Sequence, residues 1–189
     1  NVCFSVDSIL FQAPTLKLNV RDFRLKEKSG LEITQFRCPV VMDSLRLLLP
    51  DLSIATPYSS ITAGVKLDLD FMDEHKPGII DASLLASIGK QDIMPFCQAM
   101  PSSFVAHYPE WPLTLDGMLN GNLKRMDIGH FKVSLPTAFS VDANGHAENV
   151  TDMKSLLANL DIKARTYDLD FVTSLAGMDS RSTIAIPQG

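Results

Sequence analysis

Apolar and polar residues alternate most regularly between residues 112 and 150, in three consecutive segments. One parity carries the apolar residues Leu113, Leu115, Leu119 and Leu123, then Phe131, Val133 and Leu135, and finally Phe139, Val141, Ala143 and Ala147. Because successive side chains of a strand point to opposite faces, each segment predicts a strand with one apolar and one polar face. Turn residues at 121–122, 127–129 and 135–137 break up this region, which predicts an antiparallel meander.

The same alternation predicts strands along most of the remaining chain. They are expected near residues 1–10, 14–25, 31–40, 44–54, 62–71, 79–88, 160–171 and 180–187. Val65, Leu67 and Leu69 lie on the apolar side of the strand at 62–71, where the alternation is cleanest. A switch of the apolar parity near Arg21-Asp22 predicts a β-bulge. Strands of about ten residues separated by turn signals are typical of an all-β meander.

Residues 91–108 interrupt the alternation and predict two short helices. Apolar side chains recur there at helical spacing, at Ile93, Phe96, Cys97 and Met100. Asp92 is the expected N-cap of the first helix, and Ser102 is the expected N-cap of the second. Shorter helical turns are expected at 151–157 and 172–175.

The length of 189 residues suits one domain, or one segment of a larger β-rich repeat protein. A hydrophobic content of 46% and a charged content of 21% are ordinary for a globular chain and allow a core. The apolar faces of the strands then have two interpretations. They form the core of a sandwich or barrel, which is the common use of such faces and which alternation alone favours. Otherwise they line a curled sheet whose trough holds an apolar ligand such as acyl chains.

Charge and termini restrict the partners of the chain. A formal net charge of -5 and a pI near 5.3 argue against nucleic acid, which requires a concentrated basic surface. The chain begins at Asn1 without a signal-peptide pattern, and it has no apolar run long enough to span a bilayer. We therefore expect a mature chain or an excised segment, and the presence of an upstream anchor is left open.

The sequence carries no constellation of residues typical of catalysis, of a metal site or of a cofactor site. His130 and His146 lie on the polar parity of neighbouring strands, where they could approach each other, but neither has a further ligand at a metal-like spacing. The acidic residues of 68–74 are expected to form a solvated polar surface. The three cysteines are widely spaced and predict small buried apolar side chains, with a Cys3–Cys38 bridge left open. We therefore expect a protein that is not an enzyme and that needs no metal or cofactor.

The segment 113–150 resembles the repeating element of AsmA-like and TamB-type proteins. That element has an apolar strand with the pattern G-x-x-x-G, which Gly117 and Gly121 match, and a second strand with paired apolar positions. Its third strand ends in A-N-G-x-A-x-N-V/L, which residues 143–150 match. The longer run 87–168 resembles the form found in Bacteroides-type bacteria.

The resemblance implies both a fold and a function. Such proteins form an extended, curled antiparallel sheet (a half-pipe or taco-like meander), to which this chain adds a short helical insert near 91–108 that would cap or plug the trough. They are anchored in the inner membrane of diderm bacteria, extend across the periplasm and are associated with phospholipid movement to the outer membrane. No catalytic residue is carried over. The residues expected to line the trough and to contact phospholipid acyl chains are Val65, Leu67, Leu69, Leu113, Leu115, Leu119, Phe131, Val133, Leu135, Phe139 and Val141.

Two other functions are kept as alternatives. TamB-type proteins are also associated with outer-membrane protein assembly, so the chain could be a scaffold that pairs a free edge strand with nascent β-strands and works with outer-membrane assembly proteins. A secreted adhesion or carbohydrate-binding sandwich would need a closed core and exposed aromatic side chains. One tryptophan and three tyrosines disfavour this second alternative.

Overall fold

The computed structural model describes residues 2–26, 32–97 and 102–175, and β-strands dominate it. Its strands are β1 (Val2–Gln12), β2 (Thr15–Lys26), β3 (Glu32–Ile33), β4 (Gln35–Met42), β5 (Arg46–Ala55), β6 (Ser60–Asp68), β7 (Ile80–Ile88), β8 (Leu113–Gly121), β9 (Arg125–Leu135), β10 (Phe139–Glu148) and β11 (Leu157–Thr166). Its helices are α1 (Lys90–Ile93), a 3-10 turn that follows it (Met94–Phe96), α2 (Ser102–His107) and α3 (Leu169–Leu175).

The strands form one antiparallel sheet in which neighbours in sequence are neighbours in space. The order is β1-β2-β4-β5-β6-β7-β8-β9-β10-β11, and the two-residue strand β3 also pairs with β2. Within the described residues, β1 and β11 each pair on one side only, so the sheet is open and does not close into a barrel. The prediction of a mainly β antiparallel meander with few short helices is confirmed. No second sheet covers this one in the part of the chain that the structure describes.

The register of the sheet aligns the apolar positions of successive strands. In the three central strands, Leu115 pairs with Val133, and Val133 pairs with Val141. The polar positions align in the same way, with Asp116 opposite Lys132. Because side chains alternate along every strand, one face of the sheet becomes apolar and the other becomes polar.

β-Bulges shift the register where the parity of the sequence switches. Ser5 pairs with Asp22 and Val6 pairs with Val20, which leaves Arg21 as an extra residue of β2. The bulge predicted near Arg21-Asp22 is therefore confirmed. A bulge of this kind shifts the pairing of the two strands by one residue.

A second bulge replaces one of the predicted turns. Met118 pairs with His130 and Leu119 pairs with Ile128, so β9 continues through Gly129, which is the extra residue. The turn that the sequence predicts just before His130 is therefore wrong. A bulge and a turn both interrupt the alternation, and glycine is frequent in both, so the pattern alone cannot separate them.

The predicted continuation of β6 beyond Asp68 is also wrong. The Phe71 amide donates a hydrogen bond to the Asp68 carbonyl oxygen at 3.0 Å, which begins a turn. The Asp68 carboxylate accepts hydrogen bonds from the Ile79 amide at 3.0 Å and from Arg46 Nε at 2.9 Å. Both contacts hold the pKa of Asp68 below its ordinary value. Leu69 therefore follows the strand and does not belong to it.

Three further expectations differ from the structure or lie outside it. The helical turn expected at 151–157 is wrong, because the Asp152 carboxylate accepts hydrogen bonds from the Lys154 amide and the Ser155 hydroxyl and closes a turn instead. The strand expected to continue to residue 171 is wrong, because α3 begins at Leu169, and the helical turn at 172–175 is part of that helix. The strand expected at 180–187 lies outside the described residues.

Asp92 fastens α1 to the sheet and does not cap it, so its expected N-cap role is wrong. The N-cap position is Gly89, and Asp92 lies inside the helix with its side chain buried. Its carboxylate accepts hydrogen bonds from the hydroxyls of Thr56 and Ser59. The Ser59 hydroxyl in turn accepts a hydrogen bond from the Gly89 amide at 3.0 Å. These contacts hold the helical insert at the end of the sheet where β5 meets β6.

The buried core lies where the helices meet the sheet. It consists of Phe104, Tyr108, Leu135, Ala138 and Phe171, and α2 and α3 supply two of its aromatic rings. Leu113 and Phe139 are partly buried against this cluster. The core therefore covers one end of the central strands and leaves most of the apolar face of the sheet without a second layer.

Cys38 and Cys97 are half-buried free thiols, so no Cys3–Cys38 bridge forms. Burial raises the pKa of the Cys38 thiol. A neutral, partly buried thiol behaves as a small apolar side chain. Cys38 and Cys97 are nevertheless less buried than the sequence predicts, and the predicted burial of Cys3 falls on a side chain outside the described ones.

Candidate functional site: an apolar trough

The aligned apolar side chains form one continuous surface, which we call the trough face. Between β5 and β11 it is built from four cross-strand rows that contain only apolar residues. The two middle rows are Leu49, Val65, Ala82, Leu119, Ile128, Gly145, Leu160 and Leu52, Ala63, Leu84, Gly117, Phe131, Ala143, Ile162. The outer rows are Ile54, Ile61, Ala86, Leu115, Val133, Val141, Ala164 and Leu47, Leu67, Ile80, Gly121, Met126, Ala147, Ala158.

The trough face contains a hollow of about 320 Å³ over β6, β7, β8 and β9. Ala63, Ala82 and Gly117 have small side chains or none, and they leave room between the larger Leu119 and Phe131. The ring of Phe131 packs against the backbone of Gly117, where an added Cβ would lie only 3.1 Å from Phe131 Cδ2. Glycine at this position lets the Phe131 ring approach the backbone closely, and an alanine would require the ring to shift by a few tenths of an ångström.

Many side chains on the trough face are partly accessible, because no second layer covers them within residues 2–26, 32–97 and 102–175. Leu84 and Leu119 are each 37% exposed and Phe131 is 41% exposed, although all three lie in the middle of a wide sheet. Core residues of an ordinary sandwich would be fully buried at such positions. An exposed apolar surface of this extent is typical of a binding surface.

The structure separates the predicted trough residues into three groups. Those that lie on the open trough face are Val65, Leu67, Leu115, Leu119, Phe131, Val133 and Val141. Leu113, Leu135 and Phe139 share their parity but lie under the helices, and Leu135 is fully buried there. Leu69 lies in the turn after β6 and is exposed. The interpretation of these last four residues as lining an open trough therefore needs correction.

Eight lining residues of the hollow lie outside the predicted set, and Ala63, Ala82, Leu84 and Ile128 are those among them that carry an apolar side chain on the trough face. The alternation already places Ala82 and Leu84 on one side of their strand. Only the register of β7 against β8 shows that this side carries Leu115 and Leu119 as well. Small residues such as Ala82 attract attention only when larger neighbours in the adjacent strands are known.

One end of the trough is walled by helices. The ring of Phe171 in α3 lies 5.3 Å from Phe104, 5.8 Å from Tyr108 and 6.3 Å from Phe139, measured between ring centroids. Because Phe139 belongs to β10 and shares the parity of Val141, the helices cover the trough face at this end. The hollow next to them stays uncovered, so in the described residues the insert forms a side wall and does not plug the trough.

Tyr108 is an aromatic residue of this wall whose polar atom has no partner among the described residues. Its hydroxyl is buried, and this burial, together with the nearby Cys97 thiol, raises the pKa of Tyr108 to about 12. In the unfolded chain a tyrosine ionises near pH 10. The folded state therefore keeps its proton longer, and the stability linked to this group is lost as the pH rises from about 10 through 12.

Replacing Tyr108 with phenylalanine is expected to leave the free energy of unfolding at pH 7 unchanged, or to raise it by about 1 kcal/mol, because an unpaired buried hydroxyl is removed. The variant should also lose less stability than the wild type between pH 10 and pH 12. Urea unfolding at pH 7, pH 10 and pH 12 measures both effects. Tyr58→Phe, which changes an exposed ring, is the control. A loss of more than 1 kcal/mol at pH 7 would mean that the hydroxyl is paired.

The opposite end of the trough is polar. Loops between β6 and β7, β8 and β9, and β10 and β11 surround a hollow of about 710 Å³ there. Asp73, Glu74 and Lys124 line this hollow, and Lys124 Nζ donates a hydrogen bond to the His75 carbonyl oxygen at 2.7 Å. The two ends of the trough therefore differ in chemistry, with aromatic side chains at the helical end and charged loops at the other.

The polar face of the sheet forms ion pairs, such as that between Arg125 and Glu148. His130 Nε2 lies 2.8 Å from Asp116 Oδ1, whereas His146 is paired in register with Asp127, so the register does not bring the two histidines together. Among the described residues, no group of three or more His, Cys, Asp or Glu side chains is arranged to hold a metal ion. In that same part of the chain, no helix has the length and hydropathy of a membrane span.

No family model, no curated protein and no solved structure matches this chain. The class that the fold and the site define is an open antiparallel β-sheet with an apolar trough on one face.

Proposed function

We propose that this chain is a segment of a periplasmic protein, similar to the AsmA-like and TamB-type proteins, that binds phospholipid in an apolar β-trough and conducts it toward the outer membrane. The parent protein would be anchored in the inner membrane of a diderm bacterium. The observation that carries this proposal is the trough face, whose four rows cross seven strands without a polar side chain and without a second sheet over them in the described part of the chain. A sheet that needed only a core would bury such a surface.

Acyl chains fit this surface because their binding needs no directional contact. Removing apolar area from water stabilises a complex by roughly 25 cal/mol per Å². Four adjacent strands span about 14 Å at the usual strand spacing, so the hollow over β6 to β9 accommodates a stretch of one acyl chain that lies across the strands. The same apolar rows continue on both sides of the hollow, so a chain could move along the sheet without meeting a polar side chain.

The two ends of the trough orient the lipid. The helical end is closed by Phe104, Tyr108 and Phe171, which are buried together with the Tyr108 hydroxyl. Lys90 at this end already donates to the Tyr108 carbonyl oxygen and pairs with Glu110. The loop end carries charged side chains such as Asp73 and Lys124. We therefore expect phospholipid head groups to lie at the loop end, in water, and head-group selectivity to be weak because both signs of charge are present there.

The test is mass spectrometry of the lipids that copurify with the chain in the absence of detergent. The wild type is expected to carry phospholipid in stoichiometric amount. Leu115→Asp is expected to carry none, because a carboxylate on the trough face would have to lose its hydration when an acyl chain binds. Val133→Asp, which changes the residue paired with Leu115, should have the same effect.

The matched control is Leu85→Asp. Leu85 lies on β7 next to the hollow but on the polar face, and it is 60% exposed. The same substitution there should leave bound lipid unchanged, and circular dichroism should show that all variants keep their β-structure. A folded wild type without lipid, or lipid retained by both Leu115→Asp and Val133→Asp, would contradict the proposal.

A scaffold for outer-membrane protein assembly is the second candidate. The observation that favours it is that β1 and β11 each pair on one side only within the described residues. Such an edge can add a strand from another chain. Proline substitutions in β1 or β11 would abolish this activity and spare lipid binding, which separates the two candidates.

A further inference from the structure

We propose that the outer edge of β11 pairs with β11 of a second copy of this chain. The two strands would run antiparallel, with Ile162 opposite Ile162 of the second copy on the two-fold axis. This inference concerns assembly and goes beyond lipid binding, which the isolated chain would perform by itself.

The edge of β11 is accessible along its whole length. Every residue from Leu157 to Thr166 is exposed, and in the described part of the chain β11 pairs only with β10. The element that follows, α3, turns back over the sheet, because Phe171 packs against Phe104 and Phe139. Helix α3 therefore does not cover the edge.

The faces of the sheet limit the registers in which β11 can pair with itself. Leu160, Ile162 and Ala164 lie on the trough face, and Asp161 and Lys163 lie on the polar face. In an antiparallel pair of two copies of one strand, the numbers of any two opposed residues add up to the same sum. When this sum is even, every residue opposes one of the same parity. Only these registers place apolar residues opposite apolar ones and continue both faces into the second copy.

Charge selects one register among these. With Ile162 on the axis, Asp161 opposes Lys163 of the second copy, and the symmetry forms this pair twice. With Asp161 on the axis two aspartates oppose each other. With Lys163 on the axis Asp161 opposes Arg165, but two lysines also oppose each other. With Ala164 on the axis Lys163 opposes Arg165. Only the register centred on Ile162 forms opposite-charge pairs without a like-charge pair. Opposite charges directly across a strand pair stabilise it and like charges destabilise it. The chosen register also places Asn159 opposite Arg165 of the second copy.

The polar face already uses the same arrangement inside one chain. Asp116 opposes Lys132, Lys132 opposes Asp142, and Asp142 opposes Lys163. Asp161 of the second copy would add the next residue of opposite sign to this ladder. On the other face, Leu160, Ile162 and Ala164 would continue the apolar rows into the second copy.

Such a dimer would join the two trough faces into one surface that contains twice as many strands. Because the two β11 strands would run antiparallel, the helical end of one copy would lie beside the loop end of the other. A symmetric, self-complementary contact of this kind is the commonest way in which chains form dimers.

Sedimentation equilibrium of the full chain tests the proposal. The wild type is expected to form a reversible dimer. Asp161→Lys places the new lysine opposite Lys163 of the second copy and is expected to weaken dimerisation at least tenfold. Lys163 opposes Asp142 of its own chain, so the charge exchange is made in an Asp142→Asn background. In that background, adding Lys163→Asp to Asp161→Lys exchanges the two signs and should restore the dissociation constant of Asp142→Asn to within about threefold, because the opposite-charge pair forms again.

Within its own sheet Asp161 opposes the neutral Asn144, and its carboxylate lies 3.6 Å from Nζ of Lys163 on the same exposed strand. Asp161→Asn removes this surface ion pair without adding a like charge, so it is the control and should weaken dimerisation less than Asp161→Lys. Ile162→Lys, which places two lysines on the axis, should also give a monomer. Its matched control is Ile9→Lys on the opposite edge strand β1, where Ile9 is 69% exposed, and this variant should dimerise like the wild type.

Three results would overturn the proposal. A monomeric wild type would do so, and if its outer β11 amides were also protected from hydrogen exchange, residues 176–189 of the same chain would be the partner strand. Failure of the double exchange to restore the dimer would exclude the register. Loss of the dimer in Ile9→Lys but not in Ile162→Lys would move the contact to β1. Lipid content is measured separately on Asp161→Lys, whose substitution lies on the polar face, so loss of the dimer in that variant leaves the lipid proposal intact.

Discussion

Replacing Phe171 with alanine is expected to lower the free energy of unfolding by about 3–5 kcal/mol, the usual range for removing a buried phenylalanine ring. Phe171 is 1% exposed and is in contact with the rings of Phe104, Tyr108 and Phe139. Its loss would leave a cavity and would also remove the ring contacts that hold α3 on the sheet. Urea unfolding followed by circular dichroism measures the change.

The control is Leu169→Ala in the same helix. Leu169 is 73% exposed, so its truncation should change the stability by less than about 0.5 kcal/mol. Trp111, the only tryptophan, lies at the helical end just before β8 and reports on that end by fluorescence. If Phe171→Ala changed stability no more than Leu169→Ala, the helices would not be packed on the trough face as described.

The two probes also distinguish local from global unfolding. The sheet is a row of strands in which each strand contacts only its neighbours, so the helical wall could unfold while the sheet remains. In that case the Trp111 fluorescence of Phe171→Ala would change at lower urea than the circular dichroism. The wall would then be a separate cooperative unit that covers one end of the trough.

The faces of the sheet could be predicted from the sequence because a strand has a period of two. Leu115, Val133 and Val141 share a parity in their segments, and in the structure they pair directly. This inference is local, since each strand needs only its own residues to define an apolar face. Fold class follows from the same information, because strands joined by short turns pair with their neighbours.

The register could not be predicted because it depends on bulges. Gly129 inserts one residue into β9, and this shifts every position before it relative to β8 and β10. The hollow depends on that shift, since it places Ile128 opposite Leu119, in the row next to Gly117 and Phe131. A pattern read one strand at a time contains no information about which residues of neighbouring strands meet.

The cover of the trough also depends on contacts between distant segments. Leu135 and Val133 have the same parity and similar hydrophobicity, yet Leu135 is buried under the helices while Val133 stays on the open face. The difference arises from Phe104 and Phe171, which lie 31 and 36 residues away in sequence. Alternation identifies an apolar face but does not show which part of it another element covers.

Replacing Gly145 with alanine is expected to lower the free energy of unfolding by about 2–4 kcal/mol, because the change combines backbone strain with a clash. Gly145 has φ of +142°, a conformation that residues with a side chain rarely adopt. A Cβ at this position would overlap the carbonyl oxygen of Asn159. Asn159 belongs to β11, the strand that pairs with β10 at this point. Either the backbone of β10 would have to change or β11 would have to move away.

The matched control is Gly129→Ala, the same substitution in the neighbouring strand. A Cβ at Gly129 would meet its nearest atoms at 3.9 Å, which is ordinary contact, so this variant should stay within about 0.5 kcal/mol of the wild type. Hydrogen exchange should show faster exchange of the β11 amides in Gly145→Ala and unchanged exchange in β7 and β8. Equal stability of Gly145→Ala and Gly129→Ala would contradict the close pairing of β10 with β11. Because the proposed dimer uses the outer edge of β11, Gly145→Ala should also weaken dimerisation while the hollow over β6 to β9 keeps its lipid.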